Sequence, residues 1–222
     1  MTGPNLIQVF LDYYPLFFNG LLATLWIALI AVTLGTLLGA IVAILQMTKN
    51  KIVIILTRIY VNILRGTPLL VQLYLFYFFL PMIFPIMEKW PKIIAVLLAL
   101  ILNSSAYVSE IIRSGINAVD KGQTEAARSL GMSSYHCMIR IILPQAIKNI
   151  LPALGNEYIM MVKETSLAST MSISELMYVR TILGNKFLYW QPLIIVALIY
   201  LIVTMILTWL VTLMEKRLKV SD

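Results

Sequence analysis

The stretch LLATLWIALIAVTLGTLLGAIVAIL, residues 21–45, decides the fold of this chain, because its 25 residues include no charged side chain. An α-helix rises about 1.5 Å per residue, so about 20 apolar residues are enough to cross the hydrocarbon layer of a bilayer. The stretch is therefore predicted to be a membrane-spanning helix.

The composition of the whole chain also favours a membrane protein. Of the 222 residues, 60% are hydrophobic and 12% are charged, whereas soluble domains are roughly 45–50% apolar and about a quarter charged. So few charged side chains cannot cover a soluble core, which argues against a soluble globular enzyme and a disordered protein. Cys137 is the only cysteine, so the chain cannot form a disulfide framework by itself.

Four further apolar segments lead to the prediction of an all-α membrane protein with five transmembrane helices in a single domain, residues 1–222. The predicted spans are residues 21–45, 52–80, 93–112, 149–165 and 193–214. The second span is longer than a bilayer requires, so its first turns are expected at an interface. The fourth is interrupted by Pro152 and Gly155 and is interpreted as a broken span.

The distribution of basic residues predicts the orientation. The formal net charge of +7 would suggest nucleic acid as the partner of a soluble protein, but here the basic residues lie mainly between apolar blocks. If the N-terminus is outside, eleven of the 17 Lys and Arg residues fall on the inner side and five on the outer side. Basic loops prefer the cytoplasm. The N-terminus is therefore predicted to be outside, the C-terminus inside, and nucleic acid is not an expected partner.

On this topology, residues 120–144 form a cytoplasmic loop, called the coupling loop below. Asp120 or Thr124 can cap a first short helix, and Gly131 is a natural stop at its end. Between them, Ala126 and Ala127 favour a helix and have little bulk, so the surface of another protein can come close.

A second short helix is expected in the same loop. Ser133 or Ser134 can cap its start, and Pro144 is expected to end it before the fourth span. The loop is therefore predicted to form a compact pair of helices facing the cytoplasm.

The sequence contains no motif for catalysis. The phosphate-loop pattern G-x-x-x-x-G-K-[ST] is absent, so this chain is not expected to hydrolyse ATP. His136 is the only histidine, and no metal-ligand spacing or Ser/His/Asp arrangement accompanies it. We therefore predict no catalytic residue and no metal ligand.

Three motifs in the same order resemble those of the permease subunits of bacterial type I ABC importers for polar amino acids, such as histidine, arginine and glutamine. Glu125-Ala126-Ala127, followed by Gly131 and then by Ile141-x-Leu143-Pro144, is similar to the EAA loop of these permeases. Residues 65–69 (RGTPL), together with Gln72, resemble their R-G-T-P signature, and residues 163–167 (KETSL) their K-[DE]-T-S-L segment.

The resemblance implies the partners and the location. Such permeases have five spans, pair with an identical or a related permease, and bind two ATPase subunits beneath their coupling loops. An extracytoplasmic binding protein delivers the amino acid, and the complex lies in the bacterial inner membrane. ATP and magnesium are bound by the ATPase, so no cofactor is expected in this chain. The positions matching the family's ATPase-coupling residues are Glu125, Ala126, Ala127 and Gly131.

Polar residues inside the spans are the candidates for substrate binding, because such residues are costly in lipid and therefore usually have partners or functions. The candidates are Glu157, Asn156, Gly66, Thr67, Asn103 and Ser104. Gly66 and Thr67 precede a proline, and the helix break expected there leaves backbone groups free to bind a carboxylate or an ammonium.

Glu157 has three alternative interpretations: it is protonated, it is paired with Arg65 or Lys163, or it binds a cationic substrate. Permeases of the histidine/arginine type resemble this chain in having an acidic residue after the asparagine at this point. The resemblance therefore implies a basic amino acid as the substrate, with glutamine or another polar amino acid as the alternative.

Two further interpretations stay open at this point. Glu110 and Arg113 are three residues apart on a helix and are expected to pair with each other. An ion-coupled secondary carrier is the alternative function from another class, although the few spans, the lack of an evident internal repeat and the spacing of the EAA motif argue against it.

Overall fold

The computed structural model describes residues 5–187 and 190–219 of the chain, and this part contains helices and no strands. The all-α class expected from the sequence is therefore confirmed. The α-helices are α1 Leu6–Gln46, α2 Lys51–Gly66, α3 Leu69–Tyr74, α4 Leu80–Ile83, α5 Lys92–Asn117, α6 Lys121–Ser129, α7 Ser134–Cys137, α8 Leu143–Glu164, α9 Leu176–Phe187 and α10 Gln191–Lys219.

Short turns of other helical types join several of these elements. A π-helical turn, Leu75–Phe79, connects α3 to α4, and a second one, Met138–Ile142, connects α7 to α8. Turns of 3-10 helix cover Pro85–Lys89 and Thr165–Met171.

In the described residues, four helical stretches are long and apolar enough to cross a membrane, and a fifth is obtained if the bent pair of α2 with α3–α4 is counted as one span. This agrees with the predicted architecture of about five spans. Helix α1 is 41 residues long and begins well before the predicted first span. Asn5 caps its start by accepting a hydrogen bond of 2.8 Å from the backbone N–H of Gln8, and the helix is kinked at Tyr13.

The second predicted span is broken where the sequence places Pro68. Helix α2 ends at Gly66, α3 begins at Leu69, and the two arms meet at 103°. Pro68 has no N–H to donate and forces the preceding residue out of the helical region. Thr67 accordingly has an extended backbone with φ −116° and ψ 142°. The expected break is confirmed.

The fourth predicted span is not broken. Helix α8 continues through Pro152 without a non-helical residue, so the interpretation as a broken span is wrong. Gly155 serves packing instead, because a Cβ atom there would lie 2.6 Å from Cγ2 of Val211 on α10. Pro144 does not end the preceding helix either: it lies in the first turn of α8, where the missing N–H costs little.

The core of the fold is the contact of α1 with α5, which two glycines of α1 make possible. A Cβ atom at Gly35 would lie 2.8 Å from the Cβ of Ser104, and one at Gly39 would lie 2.8 Å from the backbone oxygen of Ser105. Small residues of this kind let two helices approach closely in a membrane. The contact lies within one chain.

The buried carboxylate of Glu175 joins helices α1, α9 and α10. Glu175, with no exposed surface, accepts hydrogen bonds from the hydroxyls of Tyr200 at 3.0 Å and Thr24 at 3.3 Å. It also accepts from the backbone N–H groups of Met177 and Tyr178, each at 2.8 Å. The residue thereby caps α9 and ties it to α1 and α10. Our reading of the sequence did not single out Glu175.

Replacing Gly39 with alanine should destabilise the protein, because the added methyl group meets the backbone of α5. Overpacking of this kind costs about 1–3 kcal/mol, so the Gly39→Ala variant should unfold at a lower temperature in detergent. Gly184→Ala is the matched control: a Cβ atom there meets nothing within 4 Å, and alanine favours a helix. Equal melting temperatures for the two variants would contradict the packing described.

Candidate functional site

The coupling loop folds into two short helices, as expected. Asp120 caps α6 by accepting a hydrogen bond from the N–H of Gly122, and Ser133 caps α7 by accepting one from the N–H of His136. Gly131 lies between the helices with a φ of +80°, a conformation that residues with a Cβ atom adopt at a cost. The sequence therefore requires glycine here for the backbone turn.

The coupling residues do not all lie on the surface. Glu125, Ala126 and Gly131 are exposed, whereas Ala127 is 5% exposed and packs with Cys137 and Ile142. We expected all four at the contact with the ATPase, but Ala127 instead fixes α6 against the following helix.

Two large side chains in the middle of the coupling loop were missed by the sequence interpretation. Leu130 is 84% exposed and Tyr135 is 70% exposed. Leu130 directly precedes Gly131 and Tyr135 follows it by four residues, so large side chains around a glycine in a polar loop were the signal that could have identified them.

A buried amide pair holds the break between α2 and α3. Gln72 of α3 donates hydrogen bonds to the backbone oxygen of Leu64, at 2.7 Å, and to the hydroxyl of Thr67, at 2.9 Å. Asn103 of α5 donates to Oε1 of Gln72 at 3.0 Å. Both side chains are less than 5% exposed. Asn103 therefore contributes to the geometry of the break, while Gly66 and Thr67 lie exposed on it.

Gln72 thus holds the helix break in place, a role that its position in the R-G-T-P signature did not assign to it. The sequence feature that could have identified this role is an amide side chain within the apolar run that follows Pro68, because a polar side chain there needs a partner. Because this amide satisfies a carbonyl at the end of α2, the break is held at one geometry.

Glu157 lies half-buried on α8, beside the exposed Asn156. It accepts a hydrogen bond of 2.9 Å from the hydroxyl of Ser104 on α5. Throughout residues 5–187 and 190–219, no basic side chain forms an ion pair with Glu157. The pairing with Arg65 or Lys163 that we considered is therefore not formed.

Arg65 has other partners. Its guanidinium lies 3.6 Å from the carboxylate of Glu110 and 5.2 Å from the ring centroid of Tyr107. Arg113 donates to the same carboxylate at 2.5 and 3.2 Å. The predicted pair of Glu110 with Arg113 is confirmed, and Arg65 extends it from α5 to the end of α2.

An open cavity of about 560 Å³ lies between α2, α5 and α8. Its lining residues include Tyr107 and Ser114 on α5, Ala118 directly after α5, and Asn149 and Ala153 on α8. Side chains three, four or seven residues apart share one face of a helix.

The hydrogen-bonded pair of Ser104 and Glu157 lies about one helical turn beyond these lining residues. On α5 the step from Tyr107 leads to Ser104, and on α8 the step from Ala153 leads to Asn156 and Glu157. Neither Ser104 nor Glu157 lines the cavity itself, because Ser104 is fully buried and packs against Gly35 of α1. The cavity lies one turn or more nearer to the coupling loop, which follows Ala118.

Comparisons with known proteins agree with this geometry. The family described as "Binding-protein-dependent transport system inner membrane component" matches residues 35–220. A putative glutamine transport system permease protein of Rickettsia typhi is 39% identical over 220 residues, 97% of this chain and 100% of the relative. The arginine transport system permease protein ArtQ of Bacillus subtilis is 40% identical over 211 residues, 94% of each chain.

A solved structure is also similar. A chain of an amino acid ABC transporter, crystallised with histidines, superposes with a TM-score of 0.92 at 44% identity, covering 98% of this chain and 100% of that one. The helical fold and the coupling loop are thus those of the membrane subunit of an ABC transporter. The chain belongs to the family of binding-protein-dependent transport system inner membrane components, and it is a permease subunit of an amino acid ABC importer. In this family a separate subunit hydrolyses ATP.

Replacing Gln72 with leucine should destabilise the break between α2 and α3. The change removes the hydrogen bonds that Gln72 forms with Leu64, Thr67 and Asn103, and leaves only the longer one of 3.4 Å from Asn103 to the carbonyl of Leu64. Poorly satisfied buried polar groups cost about 1–3 kcal/mol. The melting temperature in detergent should fall. Gln8→Leu, at an exposed position of α1, is the matched control and should melt as the unaltered protein does; a similar fall in both would argue against the role of the amide pair.

Proposed function

We propose that this chain forms the translocation pathway for a basic L-amino acid such as arginine, lysine or histidine. An extracytoplasmic binding protein delivers the substrate, a second permease subunit completes the pathway, and two ATPase subunits drive transport. The observation that supports the substrate class is the carboxylate of Glu157 on the apolar helix α8, which has a hydroxyl but, among the residues that the structure describes, no basic side chain as its partner.

A buried negative charge without a cation is unfavourable in a low-dielectric environment. The cationic side chain of the substrate supplies the missing partner, and Ser104 orients the carboxylate by its hydrogen bond. Asn156, exposed next to Glu157, offers an amide to the same ligand. The relative named as an arginine permease is consistent with this substrate class.

In this proposal, the break between α2 and α3 binds the backbone carboxylate or ammonium group of the amino acid. Gly66 and Thr67 are exposed there, and backbone groups at a broken helix are suitable partners for a carboxylate or an ammonium. Asn103 was a candidate ligand, but it is 3% exposed and bonded to Gln72. We therefore assign it a positioning role, in which it keeps the break in place for the substrate.

The coupling loop transmits the action of the ATPase. Glu125, Ala126 and Gly131 form its exposed contact surface, and Ala127 supports this surface from beneath. The chain is placed in the bacterial inner membrane with the N-terminus outside and the C-terminus in the cytoplasm, so that the loop meets the ATPase. The positive-inside distribution of Lys and Arg supports this orientation.

Glutamine is the second candidate substrate, because a relative of 39% identity carries that name. In that case the side chain of the substrate that meets Glu157 is uncharged. The two candidates differ in how transport responds to the charge at this position.

Replacing Glu157 with glutamine removes the charge and keeps the size of the side chain. Loss of a hydrogen bond to a charged group costs about 1.5–3 kcal/mol, so the KM for arginine should rise by about tenfold or more. The measurement is ATP-driven uptake into proteoliposomes that contain the permease, its ATPase and its binding protein. Glu88→Gln, at an exposed carboxylate far along the chain, is the control.

Unchanged arginine uptake by Glu157→Gln would overturn the proposed ligand role. Glutamine uptake that is retained in both proteins, with no arginine uptake in either, would instead favour the glutamine permease.

Replacing Gly131 with asparagine should uncouple transport without unfolding the loop. Asparagine tolerates the left-handed conformation better than most residues, and a Cβ atom at Gly131 meets nothing within 4 Å in this chain. The added side chain therefore meets no other group of this chain and acts mainly at the proposed contact with the ATPase. Substrate-stimulated ATP hydrolysis should fall, while the strain at the turn lowers the free energy of unfolding by no more than about 1 kcal/mol.

Gly184→Asn is the control for this experiment, since that position is also open and lies outside the coupling loop. Full substrate-stimulated hydrolysis by Gly131→Asn would contradict the assignment of the coupling loop.

A further inference from the structure

A second cavity, of about 280 Å³, lies between the end of α1, helix α2 and the last turns of α5. It is separate from the pair of Ser104 and Glu157. Its polar lining consists of Gln46, Arg58, Asn62, Arg65, Glu110 and Arg113. Since α1 ends here and α5 leads from here into α6, the cavity lies at the coupling side of the helical bundle.

The charge of this cavity is positive. Three of its lining residues are arginines and one is a glutamate, which leaves a formal charge of +2. Glu110 is already bound by Arg113 and lies 3.6 Å from Arg65. In the described part of the chain Arg58 donates no hydrogen bond, so its guanidinium is available to an anion.

Two uncharged amides in the same cavity also have unused hydrogen-bonding capacity. The Oε1 atom of Gln46 is buried and, within residues 5–187 and 190–219, has no hydrogen-bond partner. Buried polar atoms without partners are uncommon and call for a ligand or a solvent molecule. An amide can meet a hydroxyl with its oxygen or a phosphate with its NH₂ group. Asn62, one turn after Arg58, forms no hydrogen bond in the described residues either.

An apolar surface lies beside this polar stripe. The stripe on α2 consists of Arg58, Asn62 and Arg65, which share one face by their spacing. The neighbouring faces of α2 carry side chains that are at least half exposed, namely Ile52, Ile55, Leu56, Ile59 and Ile63. A soluble anion gains nothing from contact with this apolar surface, whereas the acyl chains of a lipid can pack along it.

We propose that the cavity binds the headgroup of an anionic phospholipid from the leaflet on the coupling side. The phosphate accepts hydrogen bonds from Arg58, and headgroup hydroxyls meet Gln46 and Asn62, as in a phosphoglycerol headgroup. Basic pockets between transmembrane helices are suited to such headgroups. The bound lipid links α1, α2 and α5 next to the ion pair of Arg65 with Glu110. This inference is independent of which amino acid is transported.

The test is native mass spectrometry of the full-length chain in detergent, titrated with phosphatidylglycerol, with phosphatidylcholine of the same acyl chains, and with glycerol 3-phosphate. Phosphatidylglycerol should bind in a defined stoichiometry and more tightly than the other two. Binding that is equal for both lipids would overturn the proposal. Glycerol 3-phosphate binding as tightly as phosphatidylglycerol would overturn the assignment to a lipid.

Variants connect the binding to the cavity. Arg58→Gln should weaken phosphatidylglycerol binding about fivefold, which is the contribution of one arginine near a charged headgroup. Arg58→Lys retains the charge and should recover most of the affinity, which separates loss of the anion contact from misfolding. Arg180→Gln removes an exposed arginine on α9 and should bind as the unaltered protein does. Equal weakening by Arg58→Gln and Arg180→Gln would overturn the site.

Discussion

The hydrogen bond between Asn103 and Gln72 joins the break between α2 and α3 to α5, and the geometry of the break depends on it. In lipid, a helix can be broken only where its free backbone groups find partners within the protein. Pro68 breaks the helix and leaves the carbonyl of Leu64 without a backbone donor. The side-chain amide of Gln72 donates a hydrogen bond to this carbonyl. Asn103 then joins the break to α5. Because Asn103 is followed by Ser104, the same turn of α5 also holds Glu157.

Close packing of α1 against α5 makes this arrangement rigid. The glycines at positions 35 and 39 let α1 touch the backbone of α5 around Ser104 and Ser105. At the other side of α1, the carboxylate of Glu175 binds α9 and α10. Helix α2 has one buried residue, Val61, which packs with Val42 of α1 and Ala106 of α5.

The coupling loop and the pair of Ser104 and Glu157 are connected by the same two helices, α5 and α8. Helix α5 carries Ser104 in its middle and leads to α6, while α8 begins directly after the π-helical turn that follows α7. In the mechanism proposed above, α5 and α8 are the helices that connect the loop to the pair of Ser104 and Glu157. The left-handed turn at Gly131 lies between the two helices of the loop, and Ala127 packs against Ile142, directly before α8 begins.

The sequence by itself determined the helical membrane fold, the break at Pro68 and the pairing of Glu110 with Arg113, and it reduced each cap of the coupling loop to two candidates. Each of these depends on hydropathy or on residues a few positions apart. Only the tertiary structure decided that α8 runs unbroken through Pro152, that Ala127 is buried, and that Glu157 bonds Ser104 rather than Arg65. These outcomes depend on which helix faces meet, and residues far apart in the sequence come into contact only through that packing.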